Sequence, residues 1–459
     1  MSKAAYSATP KSTHHHGVTS PHSNSRMSLK SEKHKTLKAA AEDTASQKAA
    51  QSWKLMPPTP VRQQVMNQTL QKSIEIIKDR LYWYCNSDPP KNVPDSFFFN
   101  IDSVLVYQGY NKDFGPLNLA QLHRYCIELY RILKDKKYAG IRIFHHSSPI
   151  FNKKANACFL MCAFLVVCFK LTAEQAWQPF AKAMAGKLVP FVDAGEEPGD
   201  YECTVLDCLK GLEKAIEYGW YEFRKFDYKQ YENFHKLDVG DMNWVIPGKI
   251  VAFSSPTQKK NDGLPPEAFI ENFLKMKITA IVRLNDPLYK ADLFEANGIA
   301  VIDLEFEDGS CPPDAVIRRF IAICDEEFKK GGAVAVHCRA GLGRTGTLIG
   351  CYIMSKYQVE PRGLIGWLRI SRPGSVIGHQ QQFLSEVYPR LSSIIERQKN
   401  PFQEVDTNKQ GVIGAIKDTG IQQKQYKLKI KQGDQLVNAK RQATTLAILN
   451  KYSQNTQEL

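Results

Sequence analysis

Long apolar runs are missing from this sequence of 459 residues. The longest unbroken one, Ala157 to Phe169, has 13 residues, whereas a helix crossing a bilayer needs about 20. A buried helix is expected there, and no membrane span. The first 30 residues lack the apolar core of a secretory leader. A cysteine framework is missing too: the eleven cysteines are odd in number and irregular in spacing, which predicts reduced thiols in an intracellular protein. Metal-ligand clusters are scarce. His14, His15 and His16 stand in a Ser/Thr/Asn-rich context without partner ligands, so no metal and no other cofactor is expected.

Acidic residues are in the minority, giving a net charge of +14. The excess is terminal: residues 1–70 carry +7 and residues 398–459 carry +5, which leaves +2 for everything between. That distribution excludes a basic nucleic-acid platform on the folded core, and no specific nucleic-acid partner is expected. The two terminal stretches are poor in aromatic residues and in periodic pattern, and are expected to be disordered basic tails. Within the first, Thr59-Pro60 followed by Arg62 has the pattern that a proline-directed kinase marks.

A hydrophobic content of 43% can fill real cores, and the length suggests two or three domains. Near Gln71 the segment TLQKSIEIIKDRLYWYC carries apolar residues at helical spacing and opens the ordered region. SFFFNID, SVLVYQGY and GIRIFHH read as strands, and LNLAQLHRYCIELYRIL as an amphipathic helix. Further on, ITAIVRL, IAVIDLEF and GGAVAVHC read as buried strands, PPDAVIRRFIAICDEEFKK and RTGTLIGCYIMSKY as helices. Strands alternating with helices predict α/β layers around a mostly parallel sheet.

The two halves look alike. Setting IFHHSSPIFNKKANACFL beside VAVHCRAGLGRTGTLIGC places His145 at His337, His146 at Cys338 and Asn152 at Arg344. An old duplication with one lost site and a chance likeness of two strand-loop-helix units both account for this. Between the halves, FRKFDYKQYENFHKLDVGDMNW reads as a mainly helical linker. The expected division is a tail over 1–70, a non-catalytic domain over 71–225, a linker over 226–240, a catalytic domain over 241–397 and a tail over 398–459.

The chemistry concentrates in VHCRAGLGRTG, Val336 to Gly346. A phosphate dianion needs several inward donors at once, and backbone N–H groups provide them where side chains do not block the approach. Gly341, Gly343 and Gly346 permit such a loop, which would run from Arg339 through Ala340, Gly341 and Leu342 to Gly343. A helix beginning at Arg344 adds its first-turn N–H groups, and the Arg344 guanidinium can hold two phosphate oxygens. The same positive field would lower the Cys338 thiol and make it a nucleophile, with a phosphocysteine intermediate. Thr345 would steady the sulfur as it leaves. Gly341 and Gly346 also have the spacing of a nucleotide P-loop, but Thr347 stands where that motif needs lysine. The leaving oxygen needs an acid, for which the candidate is Asp308 in EFEDGSCPPD, 30 residues before Cys338.

HCRAGLGRTG resembles the Cys-x5-Arg-[Ser/Thr] signature of protein tyrosine and dual-specificity phosphatases through His337, Cys338, Arg344 and Thr345. DFGPLNLAQLHRYC, GDMNWVIPGKIVAFSSP, IVRLNDPLY, EDGSCPP and RPGSVIGHQQQFL resemble blocks of one branch, the mitotic-exit family named for cell division cycle protein fourteen. The resemblance implies two tandem dual-specificity-phosphatase-like domains, the first without a working site. It also implies action on phosphoprotein substrates of proline-directed kinases, with preference for phosphoserine followed by proline and a downstream basic residue. Such an enzyme reverses cyclin-dependent-kinase marks, in cytoplasm and nucleus and at centrosome, spindle or basal body. Asp308 is then the general acid, and Gln380, Gln381 and Gln382 lie where the hydrolytic water is oriented. The acidic stretch DAGEEPGDYE, with Asp193, Glu196, Glu197, Asp200 and Glu202, would read the substrate's base from the first domain. Arg339, His379 and Cys311 depart from the family's usual lysine, proline and hydroxyl residue.

Two other functions are weighed. A tensin-like inositol-lipid phosphatase shares this loop but carries a second base where Leu342 stands, and an apolar residue there suits a proline ring better. A catalytically silent phosphoprotein-binding module would not need nucleophile, arginine and acid together.

Overall fold

The computed structural model describes residues 60–197, 199–260, 262–396 and 431–456, the last stretch with side chains as far as residue 447. Two sheets carry the fold. The first holds β1 (Ser73–Ile77), β2 (Leu81–Cys85), β3 (Ser96–Asn100) and β4 (Arg142–Ser147) in the order β1-β2-β4-β3. The second holds β5 (Met242–Ile246), β6 (Ile250–Phe253), β7 (Ile278–Arg283), β8 (Ala300–Asp303) and β9 (Ala333–His337) in the order β5-β6-β9-β7-β8. Each opens with an antiparallel hairpin, and every other pairing is parallel. This is the expected α/β architecture of two tandem units.

The sheets match in register as well as in order. His145 of β4 lies beside Trp83 and Phe99, and His337 of β9 lies beside Phe253 and Arg283. Both hairpins slip register near the turn, between Glu75 and Ile77 and between Trp244 and Ile246. A duplicated unit has this property, and the second adds β8 at its edge.

Several expectations differ from the structure. TLQKSIEIIKDRLYWYC is not a helix beyond Gln71 but the hairpin β1–β2, because SIEII and LYWYC are β-branched and aromatic. Asp79, at φ 54, turns the chain between them. SVLVYQGY forms no strand. The Asp113 carboxylate gathers its end into a loop by accepting from Tyr107 Oη, Tyr110 N and Asn111 N. Residues 60–70, assigned to the tail, belong to the helix Pro60–Gln71, whose Arg62, Met66 and Thr69 are buried on one face. Thr59 lies outside the described residues. Within the expected C-terminal tail, Gln432–Thr456 is helical, and Leu436, Ala439 and Lys440 are buried.

The apolar helix Phe151–Phe169 is core, with Ala155 to Val167 buried. It packs between the helices Leu119–Lys134 and Val205–Glu217. Only Tyr228–Phe234 of the 226–240 linker is helical, capped by Asp227. Tyr231 anchors it by donating to Ser371 O at 2.9 Å.

The two units meet through Val205–Glu217 and the helix Pro361–Ser371. A Cβ at Gly211 would come within 2.1 Å of Gly363 O, and one at Gly366 within 2.6 Å of Cys208 Cα. Backbone therefore touches backbone, and the apolar core continues across both units. Arg362 clamps Asp207 at the rim.

Candidate active site

Strand β9 is buried throughout and ends in His337. Burial drives the His337 pKa down to about 3, so the ring is neutral. It bonds Tyr289 Oη through Nε2 at 2.9 Å and the Cys338 carbonyl through Nδ1 at 3.0 Å. The strand thus delivers Cys338 in a fixed orientation to the base of the loop.

The loop is shaped from behind. Arg372, fully buried, donates from Nε to Gly341 O at 2.7 Å and from Nη2 to Ala340 O at 3.2 Å. In a trans peptide the N–H points opposite to the C=O, so carbonyls pulled back onto Arg372 turn the Gly341 and Leu342 N–H groups toward the concave side. Asp241 holds Arg372 in place at 3.1 Å. Burial pushes the Asp241 carboxyl up, but Arg372 and Lys440 outweigh it and hold it at about 2. Gly341 sits at φ +66 with Phe253 O only 2.0 Å from where a Cβ would stand, so glycine is required there.

The helix Gly343–Tyr357 begins where the loop ends. Arg344 donates from Nη1 to Leu284 O and Phe306 O, both at 2.9 Å, and pairs through Nη2 with Asp308 Oδ1 at 2.9 Å. Its Nε is buried without a partner. An unmet buried donor is costly, and a phosphate oxygen in the loop would satisfy it. Burial raises the Cys338 thiol, yet Arg344 and the Thr345 hydroxyl together bring it below a thiol's ordinary value. Thr345 Oγ1 is buried with no hydrogen-bond partner among the described residues, so its hydroxyl is available to the sulfur whose charge it favours.

Asp308 stands beyond β8 within reach of the loop. Its Oδ1 meets Arg344 and its Oδ2 accepts from the Gly433 N–H at 2.7 Å. The Arg339 side chain turns outward to Asp262 and Asp434, so only its backbone belongs to the loop. Leu342 is fully buried in an apolar cluster with Ala194, Ala340, Ile377 and Leu436.

The three glutamines separate by geometry. Gln380 faces the loop: a Cβ at Gly343 would lie 2.8 Å from its Oε1. It also accepts from Ile377 N and donates to Ser310 O. Gln381 instead braces the domain interface, donating to Asp193 Oδ2 at 2.9 Å and accepting from Arg369. Gln382 is half-buried, its Oε1 without a partner.

Asp193, expected to read substrate, is buried and spent on Gly195 N, Gly378 N and Gln381. Its carboxylate ties the acidic loop to the glutamine turn, and its oxygens are not offered to solvent. Glu196, Glu197, Asp200 and Glu202 are exposed, with Glu197 paired to Lys112. Arg372, Asp241 and Lys440 were missed by reading the sequence. A buried arginine before Pro373 was legible only as part of a block, and nothing local marks Lys440.

In the first domain the equivalent turn is filled by its own side chains. Asp102 Oδ2 accepts from Ser148 N at 2.8 Å, and His146, in the place of the nucleophile, bonds Asn100 and Asn86 O. A carboxylate thus accepts from the Ser148 N–H, and an imidazole stands where the second domain has its thiol.

A model described as the N-terminal half of dual specificity protein phosphatases matches residues 75–215. One described as the phosphatase domain of the Swiss Army Knife DSP-PTPases matches residues 240–384. Human dual specificity protein phosphatase CDC14A is 43% identical over 317 residues, which make 68% of this chain and 53% of that protein. Human CDC14C is 40% identical over 313 residues, 67% of this chain and 69% of that protein. The tyrosine-protein phosphatase CDC14 of Saccharomyces cerevisiae is 33% identical over 325 residues, 69% of this chain and 59% of that protein. The chain spans about half the length of the CDC14A proteins it matches.

Proposed function

Because the chain belongs to the CDC14 family of dual-specificity protein phosphatases, we propose that it hydrolyses phosphate esters of protein serine, threonine and tyrosine in the cell cycle. The observation that carries this reading is Cys338 at the base of a loop whose carbonyls are drawn back onto the buried Arg372, with the Arg344 Nε buried and unpartnered and the thiol held below its ordinary value by Arg344 and Thr345. Cys338 Sγ attacks phosphorus, the phosphorus–oxygen bond of the ester breaks, and protonated Asp308 gives its proton to the leaving oxygen. Water then attacks the phosphocysteine, Asp308 takes its proton, and the sulfur–phosphorus bond breaks to return the thiolate and release inorganic phosphate. Gln380, the glutamine against the loop, orients that water.

The preferred substrate is phosphoserine followed by proline with a downstream Lys or Arg, which is how the enzyme reverses cyclin-dependent-kinase marks. The buried Leu342 and its apolar neighbours support a proline-accepting surface beside the loop. The exposed Glu196, Glu197 and Asp200 support attraction of a base. Matched phosphopeptides with and without proline after the phosphoserine test it. Proline-containing peptides are expected to be hydrolysed faster, with Cys338→Ser abolishing turnover while retaining peptide binding. Equal rates on both peptides remove the proline preference, and turnover by Cys338→Ser removes the covalent route.

A further inference from the structure

The helix Gln432–Thr456 lies on the candidate active site. At its start the Gly433 N–H donates to Asp308 Oδ2 at 2.7 Å, and the Asp434 carboxylate pairs with Arg339 of the loop. Leu436 is buried in the apolar cluster that contains Ala340 and Leu342. Lys440 is buried too, its Nζ donating to Asp241 Oδ2 and, at 2.7 Å, to Ala340 O. Residues 433, 436 and 440 follow helical spacing, so one face makes all three contacts. The approach at Gly433 is close: a Cβ there would stand 2.5 Å from Arg339 Cβ and 3.2 Å from Asp308 Oδ2.

We infer that this helix is an intramolecular occupant of the substrate cleft, closing the site so that a phosphopeptide must displace it. Closure blocks two things the reaction needs. The Asp308 oxygen that meets Gly433 is not free for a leaving group, and the apolar surface beside the loop is covered by Leu436. Burying Lys440 carries a desolvation cost that its contacts with Asp241 and Ala340 O offset. The docked position follows from these contacts alone; the inhibition rests on the phosphatase reading above.

The full chain carrying Leu436→Asp and Lys440→Glu tests the inference, with Gly433→Ala as a second and milder variant. Neither variant changes Cys338, Arg344, Asp308 or Gln380, and Gly433→Ala leaves Lys440 and its contact with Asp241 in place. Two rates are read: alkylation of Cys338 by iodoacetamide, followed by mass spectrometry, and hydrolysis of a phosphoserine-proline peptide. If the wild-type chain is about nine-tenths closed, opening it raises alkylation and peptide kcat/KM by roughly tenfold, the latter chiefly through a lower KM. A synthetic peptide of residues 431–447 added to the double variant returns both rates toward wild type. Alkylation unchanged within about twofold in both variants overturns the closure, since a site already open gains nothing from losing its cover. Alkylation that rises while no variant hydrolyses any phosphopeptide leaves the closure standing and defeats the phosphatase reading instead.

Discussion

At the scale of single residues, opposed effects meet at Cys338. Burial disfavours the thiolate, whereas Arg344 and Thr345 favour it and prevail. The pH profile of Cys338 alkylation should therefore have its midpoint below the ordinary thiol value of 9.0. In Arg344→Met the burial is less opposed, and the midpoint should move upward. An unmoved midpoint would show that the cation does not set the thiol's charge. The glutamines give a second residue-level expectation. Gln380→Ala should slow phosphocysteine hydrolysis by on the order of a hundredfold, the scale of a misplaced reacting group, and radiolabelled phosphoenzyme should accumulate. Gln381→Ala, which loses Asp193 and Arg369 instead, should lower the melting temperature without trapping that intermediate.

Between elements, the contact that matters most is the one with no side chains in it. The helices Val205–Glu217 and Pro361–Ser371 approach through Gly211, Gly363 and Gly366, and any Cβ at Gly366 must meet Cys208 Cα and Asp207 O. Gly366→Leu should therefore force the helices apart, costing about 1–3 kcal/mol or more by overpacking. The same separation pulls Asp193 away from the glutamine turn, so thermal unfolding and peptide kcat/KM should fall together. A variant that melts like wild type would mean that the domains tolerate a wider seam. The second domain's loop depends on a similar remote support, since Arg372 and Asp241 hold the carbonyls without approaching substrate.

For the whole molecule, charge is partitioned by role. The net +14 is mostly terminal, while the rim near the loop carries exposed Glu196, Glu197 and Asp200. Neutralising these three should raise KM for phosphopeptides with a downstream Lys or Arg, and leave small aryl phosphates unaffected. The difference between basic and neutral peptides should shrink as salt is added, because exposed charges are screened within about 10 Å at 0.1 M. Identical KM values for basic and neutral peptides in the triple variant would reduce the stretch to solvated surface. Gln435 reaches Glu196 from the C-terminal helix, so the same rim serves the closed form.

The sequence alone determined the α/β class, the two like halves, and the loop with its cysteine, arginine and acid, because these depend on local pattern. Alternating apolar strands, glycines in a tight turn and a helix start after the loop are written in consecutive residues, and periodicity reveals them. It misread SIEIIKDRLYWYC, since helical and extended spacings coincide over a few residues; the β-branched and aromatic residues lean toward strand, and pairing of β2 with β1 and β4 decides it. The family resemblance placed Asp193 among the substrate readers, because a run of acidic residues carries charge and not direction. Only the folded chain turns that carboxylate inward to Gln381, 188 positions away. Gln380 was inseparable from its neighbours until the loop packed on it. The C-terminal helix was invisible for the same reason: its sequence has little to bury against itself, and its burial of Leu436 and Lys440 exists only where the loop of another domain provides the surface. Contacts distant in sequence are decided by packing, which no short window of residues contains.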